Sequence, residues 1–343
     1  MSTSPMREIG EVDEIPRFRL NDETSIPAIG LGCWMGFPHG PGESTQVTEM
    51  VERALKVGYR HLDTASNYGN ERSVGLAIKG SGVPREEIYV TTKLSGEDHG
   101  HVAQALDRSL EKLQMDYVDM YLMHWPQALD DNGNALQPEE SPTILDTWRQ
   151  MEEMVHSGKT KSIGVSNFSV KTLQVLLGES EGGDGVNRQI RIIPALNQIE
   201  CHPCLPQHSL LAFCKEKGIH VTAYSPLGKN TFSEDEDVVR VVSAINSRCG
   251  SEASATQVLL SWAVQRGTSV IPKSVGEERL RENLRLIQLD EDSMTVLDNL
   301  HQKEGMHRSV CGFHSTDSGG SCFGWTYEQL GWGMTVGGVV LTR

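Results

Sequence analysis

A series of polar residues, each closing a short apolar run, constrains this chain more than any other feature. Asp63, Lys93, His124, Ser166-Asn167, Gln198, Tyr224 and Lys273-Ser274 all follow such runs, and each precedes a helix-like stretch. The intervals range from 26 residues (Gln198 to Tyr224) to 49 (Tyr224 to Lys273), about the length of one strand–helix unit. Polar groups at the ends of successive parallel strands converge only if the strands close into a ring. The pattern predicts an α/β chain folded as a (β/α)8 TIM barrel, with its chemistry at the C-terminal rim of the strands.

The units can be followed along the chain. Arg17–Leu20 and Ile26–Pro27, joined through Asn21-Asp22, read as an N-terminal β-hairpin that plugs the barrel floor. Strands are expected at 28–33, 61–64, 89–94, 117–124, 161–166, 193–199, 220–225 and 269–273. Between them, Val47, Met50, Val51 and Ala54, or Val102, Ala105, Leu106, Leu110 and Leu113, recur at helical spacing. Further helices are expected near 237–247, 253–265, 277 onward and 290–301. Residues 128–142 read as an exposed loop, and the acidic, glycine-rich stretch 179–185 as a mobile insert. One domain, 1–343, is expected, with the barrel over about 26–300 and a long C-terminal loop over 301–343. That tail, with Phe313, Phe323, Trp325, Tyr327 and Trp332, suits either a strap across the barrel or a lid over its mouth.

Composition removes several function classes. A net charge of −15 opposes nucleic-acid and anionic-membrane partners. No apolar run approaches the ~20 residues of a membrane span. Met1–Glu14 lacks the apolar segment of a signal peptide. Seven scattered cysteines read as reduced thiols of a cytoplasmic protein. Cys201-His202-Pro203-Cys204 resembles half a zinc site without its second half, so no metal is expected.

The polar residues suit carbonyl chemistry. A tyrosine is a poor acid at neutral pH, with a pKa of ~10. Lys93 beside Tyr68 favours the phenolate, and Asp63 keeps that lysine charged. His124 can hydrogen-bond a substrate carbonyl oxygen. Each residue taken singly is better read as structural; four compatible groups at neighbouring strand ends favour a site. Reduction also needs a hydride source. Gly30-x-Gly32 lacks the third glycine of the dinucleotide fingerprint and reads as tight backbone packing. Ser166, Asn167 and Gln198 offer groups to hold a carboxamide, and Tyr224 a ring to stack on nicotinamide. Lys273, Ser274 and Arg279 suit a phosphate, and Asn283 an adenine edge.

Eight ordered motifs now bear on family. They are Gly30-Leu31-Gly32-Cys33-Trp34, Leu62-Asp63 through Tyr68-Gly69-Asn70-Glu71, Thr91-Thr92-Lys93-Leu94, Tyr121-Leu122-Met123-His124-Trp125-Pro126, Gly164-Val165-Ser166-Asn167-Phe168, Asn197-Gln198 through His202-Pro203, Ala223-Tyr224-Ser225-Pro226-Leu227-Gly228 and Ile271-Pro272-Lys273-Ser274. Over about 26–289 the chain resembles the aldo-keto reductase family. The resemblance implies Tyr68 as general acid, supported by Asp63, Lys93 and His124, and NADPH bound without a Rossmann fold. It implies a 2′-phosphate grip by Lys273, Ser274 and Arg279, and further cofactor contacts at Gly32, Cys33, Trp34, Asp63, Ser225, Leu227, Val275, Glu282 and Asn283. Trp34, Asn67, His124 and Trp125 would line the carbonyl pocket. Ser95 stands where relatives often carry an aromatic, opening one wall, and Asn67 makes another wall polar. Lys229-Asn230-Thr231 is shorter than the strap of some relatives and lacks its aspartate. The tail resembles members acting on glyceraldehyde, glycerol and sugar aldehydes.

The expected activity is NADPH-dependent reduction of small aldehydes or ketones to alcohols. Oxidation of a glycerol-type polyol at the same site is the alternative, and a low-turnover NADPH-binding redox sensor is a third reading. The expected partner is a small carbonyl substrate, with the protein a monomer or dimer.

Overall fold

The computed structural model describes residues 15–36, 44–179, 190–249, 252–314 and 320–341. The signal-peptide question at Met1–Glu14 and the acidic insert after Glu179 fall outside these residues.

Eight parallel strands pair in chain order: β3 (Leu31–Gly32), β4 (His61–Asp63), β5 (Tyr89–Leu94), β6 (Val118–Met123), β7 (Thr160–Ser166), β8 (Leu196–Glu200), β9 (His220–Tyr224) and β10 (Ser269–Val270). The ring closes where Ile29 bridges Val270 in parallel, with Val270 N–H donating to the Ala28 carbonyl and Gly30 N–H to the Val270 carbonyl, both at 2.8 Å. The first and last strands are shorter than expected. Pro272 has no N–H to extend the ladder, so Lys273 follows the last strand rather than ending it. The seam is tight: a Cβ on Gly30 would lie 2.4 Å from the His61 ring, and one on Gly32 2.7 Å from the Ile271 carbonyl. The Gly-x-Gly pair therefore serves backbone packing, as its sequence context implied.

The outer layer comprises α1 (Thr45–Val57), α2 (Glu71–Ser81), α3 (Val102–Leu113), α4 (Ile144–His156), α5 (Val170–Leu177), α6 (His208–Lys217), α7 (Glu236–Cys249), α8 (Ala255–Gln265), α9 (Glu277–Asn283) and α10 (Glu291–Asp298). α1 illustrates how sequence sets these limits. The Ser44 hydroxyl caps the Val47 N–H, Val47, Met50, Val51 and Ala54 are buried on one face, and Gly58 at φ 111° ends the helix.

The hairpin of β1 (Arg17–Arg19) and β2 (Ser25–Pro27) closes the floor. Leu20 and Ile26 pack with Tyr89, Met120, Leu122 and Leu196, and Asn21 Nδ2 donates to the Pro194 carbonyl at 3.0 Å.

The tail is not the irregular loop expected. It forms two small hairpins, β11 (Ser321–Cys322) with β12 (Trp325–Thr326) and β13 (Met334–Thr335) with β14 (Val339–Val340), around the short helix α11 (Tyr327–Leu330). Phe323 and Gly324, at φ 46° and 86°, form the first two-residue turn, where positive φ matches the strand twist. Cys322, Trp325, Tyr327 and Leu330 are buried, and Trp325 Nε1 donates to the Leu136 carbonyl at 2.7 Å. That half of the tail straps the 128–142 loop to the barrel.

Candidate active site

The strand ends bring the expected polar groups together. Asp63 closes β4, Lys93 lies near the end of β5, and Tyr68 occupies a 3-10 turn (Ser66–Tyr68) just after β4. Lys93 Nζ donates to Asp63 Oδ1 at 2.6 Å, to the Thr64 carbonyl at 2.8 Å and to Tyr68 Oη at 3.4 Å. Lys93 and Asp63 are buried, so this ion pair is little screened by water. Burial alone would lower the lysine pKa, but Asp63 and Tyr68 outweigh it and hold the ammonium above its usual range.

One expectation is corrected here. Burial raises the Tyr68 pKa by more than Lys93 lowers it, so the phenol is held above its ordinary value. The desolvation of a phenolate against protein exceeds the pull of one ammonium at 3.4 Å. Tyr68 therefore rests as a protonated donor.

His124 follows β6, with its ring 5.6 Å from that of Tyr68, edge to face. Burial, and then the Lys93 charge, hold its imidazole well below the usual range. It is neutral, with one N–H to donate and one lone pair to accept.

The residues read as a carboxamide cradle lie on neighbouring strand ends. Ser166 and Gln198 are register partners on β7 and β8, and Tyr224 ends β9. Gln198 Nε2 also donates to Asp63 Oδ2 at 2.6 Å, on the far side of the carboxylate from Lys93. Tyr224 Oη donates to Asn167 Oδ1 at 2.8 Å, and Asn167 Nδ2 donates to the His124 carbonyl at 2.9 Å. Ser166 Oγ donates to the Gln198 carbonyl at 2.9 Å. These bonds fix the Tyr224 ring and lock Asn167 at φ 65°.

The phosphate-type residues lie at the seam. Ser274 is buried and its hydroxyl has no partner, while Lys273 and Arg279 are exposed on either side of it in the chain. Val275 accepts from Arg53 through its carbonyl at 3.2 Å, Glu282 is half-buried and Asn283 buried. Gly32 N–H donates to the Pro272 carbonyl, and Cys33 N–H to that of Asp63. Ser225, at φ 48°, opens a turn through half-buried Leu227 toward Lys229 and Asn230, also at positive φ.

Aromatic rings cluster around Tyr68 and Trp125. Trp34, 39 % exposed, faces Tyr68 at 4.9 Å between ring centroids. Trp125 meets Phe313 at 5.1 Å, Phe323 at 4.7 Å and Trp332 at 6.0 Å, all from the tail. Asn67, next to Tyr68 in the chain, is exposed, and Ser95 is half-buried after β5. One set of the tail's aromatics is buried, and another surrounds Trp125.

Sequence reasoning missed two polar groups. Asn70 accepts from Thr64 Oγ1 at 2.6 Å and donates to the Cys33 carbonyl at 2.8 Å, tying the ends of β3 and β4 together. Its place in the Asp63–Glu71 segment was the available signal. Glu200, buried at the end of β8, lies within the Asn197–Pro203 motif, but its tail partners Ser309 and Val310 are more than a hundred residues away and could not be read from it. In the Cys201–Cys204 stretch, His202 Nε2 meets Glu200 Oε1 at 3.1 Å.

Comparison with known proteins bears on this geometry. The Aldo/keto reductase family model matches residues 28–302. An aldehyde reductase of Saccharomyces cerevisiae is 41 % identical over 85 % of this chain and 93 % of its own length. A glycerol 2-dehydrogenase (NADP+) of the same yeast is also 41 % identical, over 85 % and 92 %. A D/L-glyceraldehyde reductase of Hypocrea jecorina is 38 % identical over 83 % and 87 %. Among solved structures, an aldo-keto reductase complexed with NADPH aligns with a TM-score of 0.72 at 32 % identity, covering 83 % of this chain and 87 % of that one. The aldose reductase of Schistosoma japonicum aligns at 0.71 and 34 %, over 84 % and 93 %. With the matched model spanning the whole ring of strands and the tetrad at its rim, this chain belongs to the aldo/keto reductase family.

Proposed function

We propose that the protein reduces aldehydes and ketones to alcohols with NADPH, using Tyr68 as general acid. The observation that carries this reading is the position of Lys93 Nζ, shared between Asp63 Oδ1 and Tyr68 Oη in a buried site. The cofactor, when bound, supplies the hydride to the carbonyl carbon. Tyr68 gives its proton to the oxygen, and the phenolate left behind is stabilised by Lys93. Asp63 keeps Lys93 charged. Neutral His124 orients the carbonyl oxygen through one N–H without competing as an acid.

The residues fit a phosphorylated dinucleotide. A buried hydroxyl without a partner, Ser274 Oγ, stands between two exposed cations in the chain, and an unpaired buried polar group is costly unless a ligand completes it. Lys273, Ser274 and Arg279 would hold the 2′-phosphate, with Val275, Glu282 and Asn283 toward the adenine. Tyr224 would support the nicotinamide, with Ser166, Asn167 and Gln198 beside it. Gly32, Cys33, Ser225 and Leu227 would flank the cofactor between these ends. Trp34, Asn67, His124 and Trp125 would form the substrate pocket.

Small, hydroxylated aldehydes such as glyceraldehyde are the favoured substrates. Their likeness to the substrates named for relatives, and the polar Asn67 in an aromatic wall, support this. Glycerol-type oxidation at the same site is the second reading, supported by the 41 % identical glycerol 2-dehydrogenase. The complete tetrad weighs against a low-turnover sensor. Among the described residues no helix is long and apolar enough to cross a membrane. We read the protein as one domain, cytoplasmic, and a monomer or dimer; the unpaired thiols of the described cysteines suit a reducing compartment.

The test is steady-state NADPH oxidation across glyceraldehyde, aromatic and sugar aldehydes, with NADH in parallel and glycerol with NADP+ in reverse. Turnover with NADPH is expected. Cofactor binding without turnover of any carbonyl would favour the sensor.

A further inference from the structure

Glu200 is a buried carboxylate that the proton-transfer chemistry does not use. It ends β8 opposite Tyr224 in the strand register and is 4 % exposed. Its bonds lead to the tail. Oε1 accepts from the Val310 N–H at 2.7 Å and meets His202 Nε2 at 3.1 Å, and Oε2 accepts from Ser309 Oγ. Ser309 Oγ in turn accepts from the Cys311 N–H at 3.0 Å. One residue later the chain enters the Gly312–His314 turn, and the Phe313 ring meets that of Trp125 edge-on at 5.1 Å and 88°.

A buried carboxylate is expensive unless donors surround it. Burial would raise the Glu200 pKa, but His202, Ser309 and Val310 outweigh it and hold the group below the usual carboxylate range. Two of these three donors belong to the tail. An apolar contact would attach the tail without fixing its register, whereas directed bonds to two consecutive residues fix both height and orientation.

We infer that Glu200 is a positioning residue for substrate selection: it fixes the root of the tail so that Phe313 closes the Trp125 side of the carbonyl pocket. This rests on the reductase reading above. Glu200 acts through Ser309, Val310 and Phe313, and has no part in proton transfer. Loosening it should weaken recognition of aldehydes large enough to reach Phe313 and spare those that are not.

The experiment compares Glu200→Ala, Glu200→Gln and Ser309→Ala in the full chain, each also combined with Phe313→Ala. Glyceraldehyde and 4-nitrobenzaldehyde serve as the small and large substrates. For Glu200→Ala and Ser309→Ala the expected result is a KM for 4-nitrobenzaldehyde raised about tenfold, with kcat changed less than about twofold and NADPH affinity unchanged. Glu200→Gln retains an acceptor for Val310 and should recover most of the loss. In the Phe313→Ala background, Glu200→Ala and Ser309→Ala should have no further effect, because the group they position is gone. Equal losses for both aldehydes, a parallel loss of NADPH affinity, additivity with Phe313→Ala, or no change in KM would each overturn the inference. If Glu200→Ala is insoluble, the Ser309→Ala cycle decides by the same outcomes. A parent enzyme that reduces neither aldehyde would instead refute the reductase reading on which the inference stands.

Discussion

Gln198 donates its side-chain amide to Asp63 at 2.6 Å, on the carboxylate oxygen that Lys93 leaves open. Both Asp63 oxygens are therefore met by donors, and the carboxylate has one orientation. Hydrogen bonds to charged groups are worth ~1.5–3 kcal/mol, more when buried. Gln198→Ala should lower kcat by about tenfold or more while NADPH affinity changes little, measured by single-turnover kinetics and fluorescence titration. A large loss of cofactor affinity with kcat preserved would make carboxamide holding the main role of Gln198.

Tyr68→Phe should abolish most reduction. The ring that packs against Trp34 at 4.9 Å remains, but the proton donor is lost. A general acid typically contributes ~10²–10⁴-fold. A Phe variant within a few-fold of the parent, with chemistry rate-limiting, would assign the acid elsewhere.

Arg279→Ala should separate the two nicotinamide cofactors. A charge-assisted bond to a 2′-phosphate is worth ~1.5–3 kcal/mol, so NADPH should weaken by roughly tenfold or more. NADH lacks that phosphate and should bind almost as before. Equal losses for both cofactors would make Arg279 a structural residue.

Stability should fall as the solution is acidified through the histidine range. Burial, the largest influence on each, holds His61 and His99 down to about 3 and His220 down to about 4. Below ~6.5 the unfolded imidazoles take up protons that the folded ones refuse. Their contribution is thus complete above that pH and lost as pH falls, by about 1.4 kcal/mol per pH unit for each residue until its folded value is reached. Melting temperatures measured from pH 7 to pH 5 should drop continuously. A flat curve would mean that these rings accept protons inside the fold.

Phe323→Gly should act with opposite signs on stability and recognition. Phe323 is held at φ 46° in a tight turn, a conformation costing a side chain about 1–2 kcal/mol, and it is 53 % exposed. Glycine relieves that strain, offset in part by its greater freedom when unfolded. Melting temperature should hold or rise slightly while KM for aromatic aldehydes increases through loss of the Trp125 contact. A fall in melting temperature with unchanged KM would place the ring's value in packing.

The barrel and the tetrad were legible because they depend on local pattern. Helix limits such as those of α1 and α4 follow from caps and apolar stripes within single segments, and Asp63, Lys93 and His124 are marked by their place at strand ends, with Tyr68 in the turn that follows Asp63. What escaped depends on partners distant in the chain. The bond from Gln198 to Asp63 is made across the barrel, between residues 135 apart. The net direction of the Tyr68 shift depends on how much protein surrounds the phenol, which spacing does not encode. The tail appeared irregular because its strands are two residues long, below the reach of any periodicity.

The ladder that closes the ring ends with Val270, and the aromatics that crowd Trp125 come from 313, 323 and 332. The ring of strands and the aromatics around Trp125 from the tail are therefore written in separate stretches of chain, the second coming off the ribosome after the first. Recoding the later stretch changes no strand of the ring. A lineage can explore new carbonyl compounds there without solving its folding problem again.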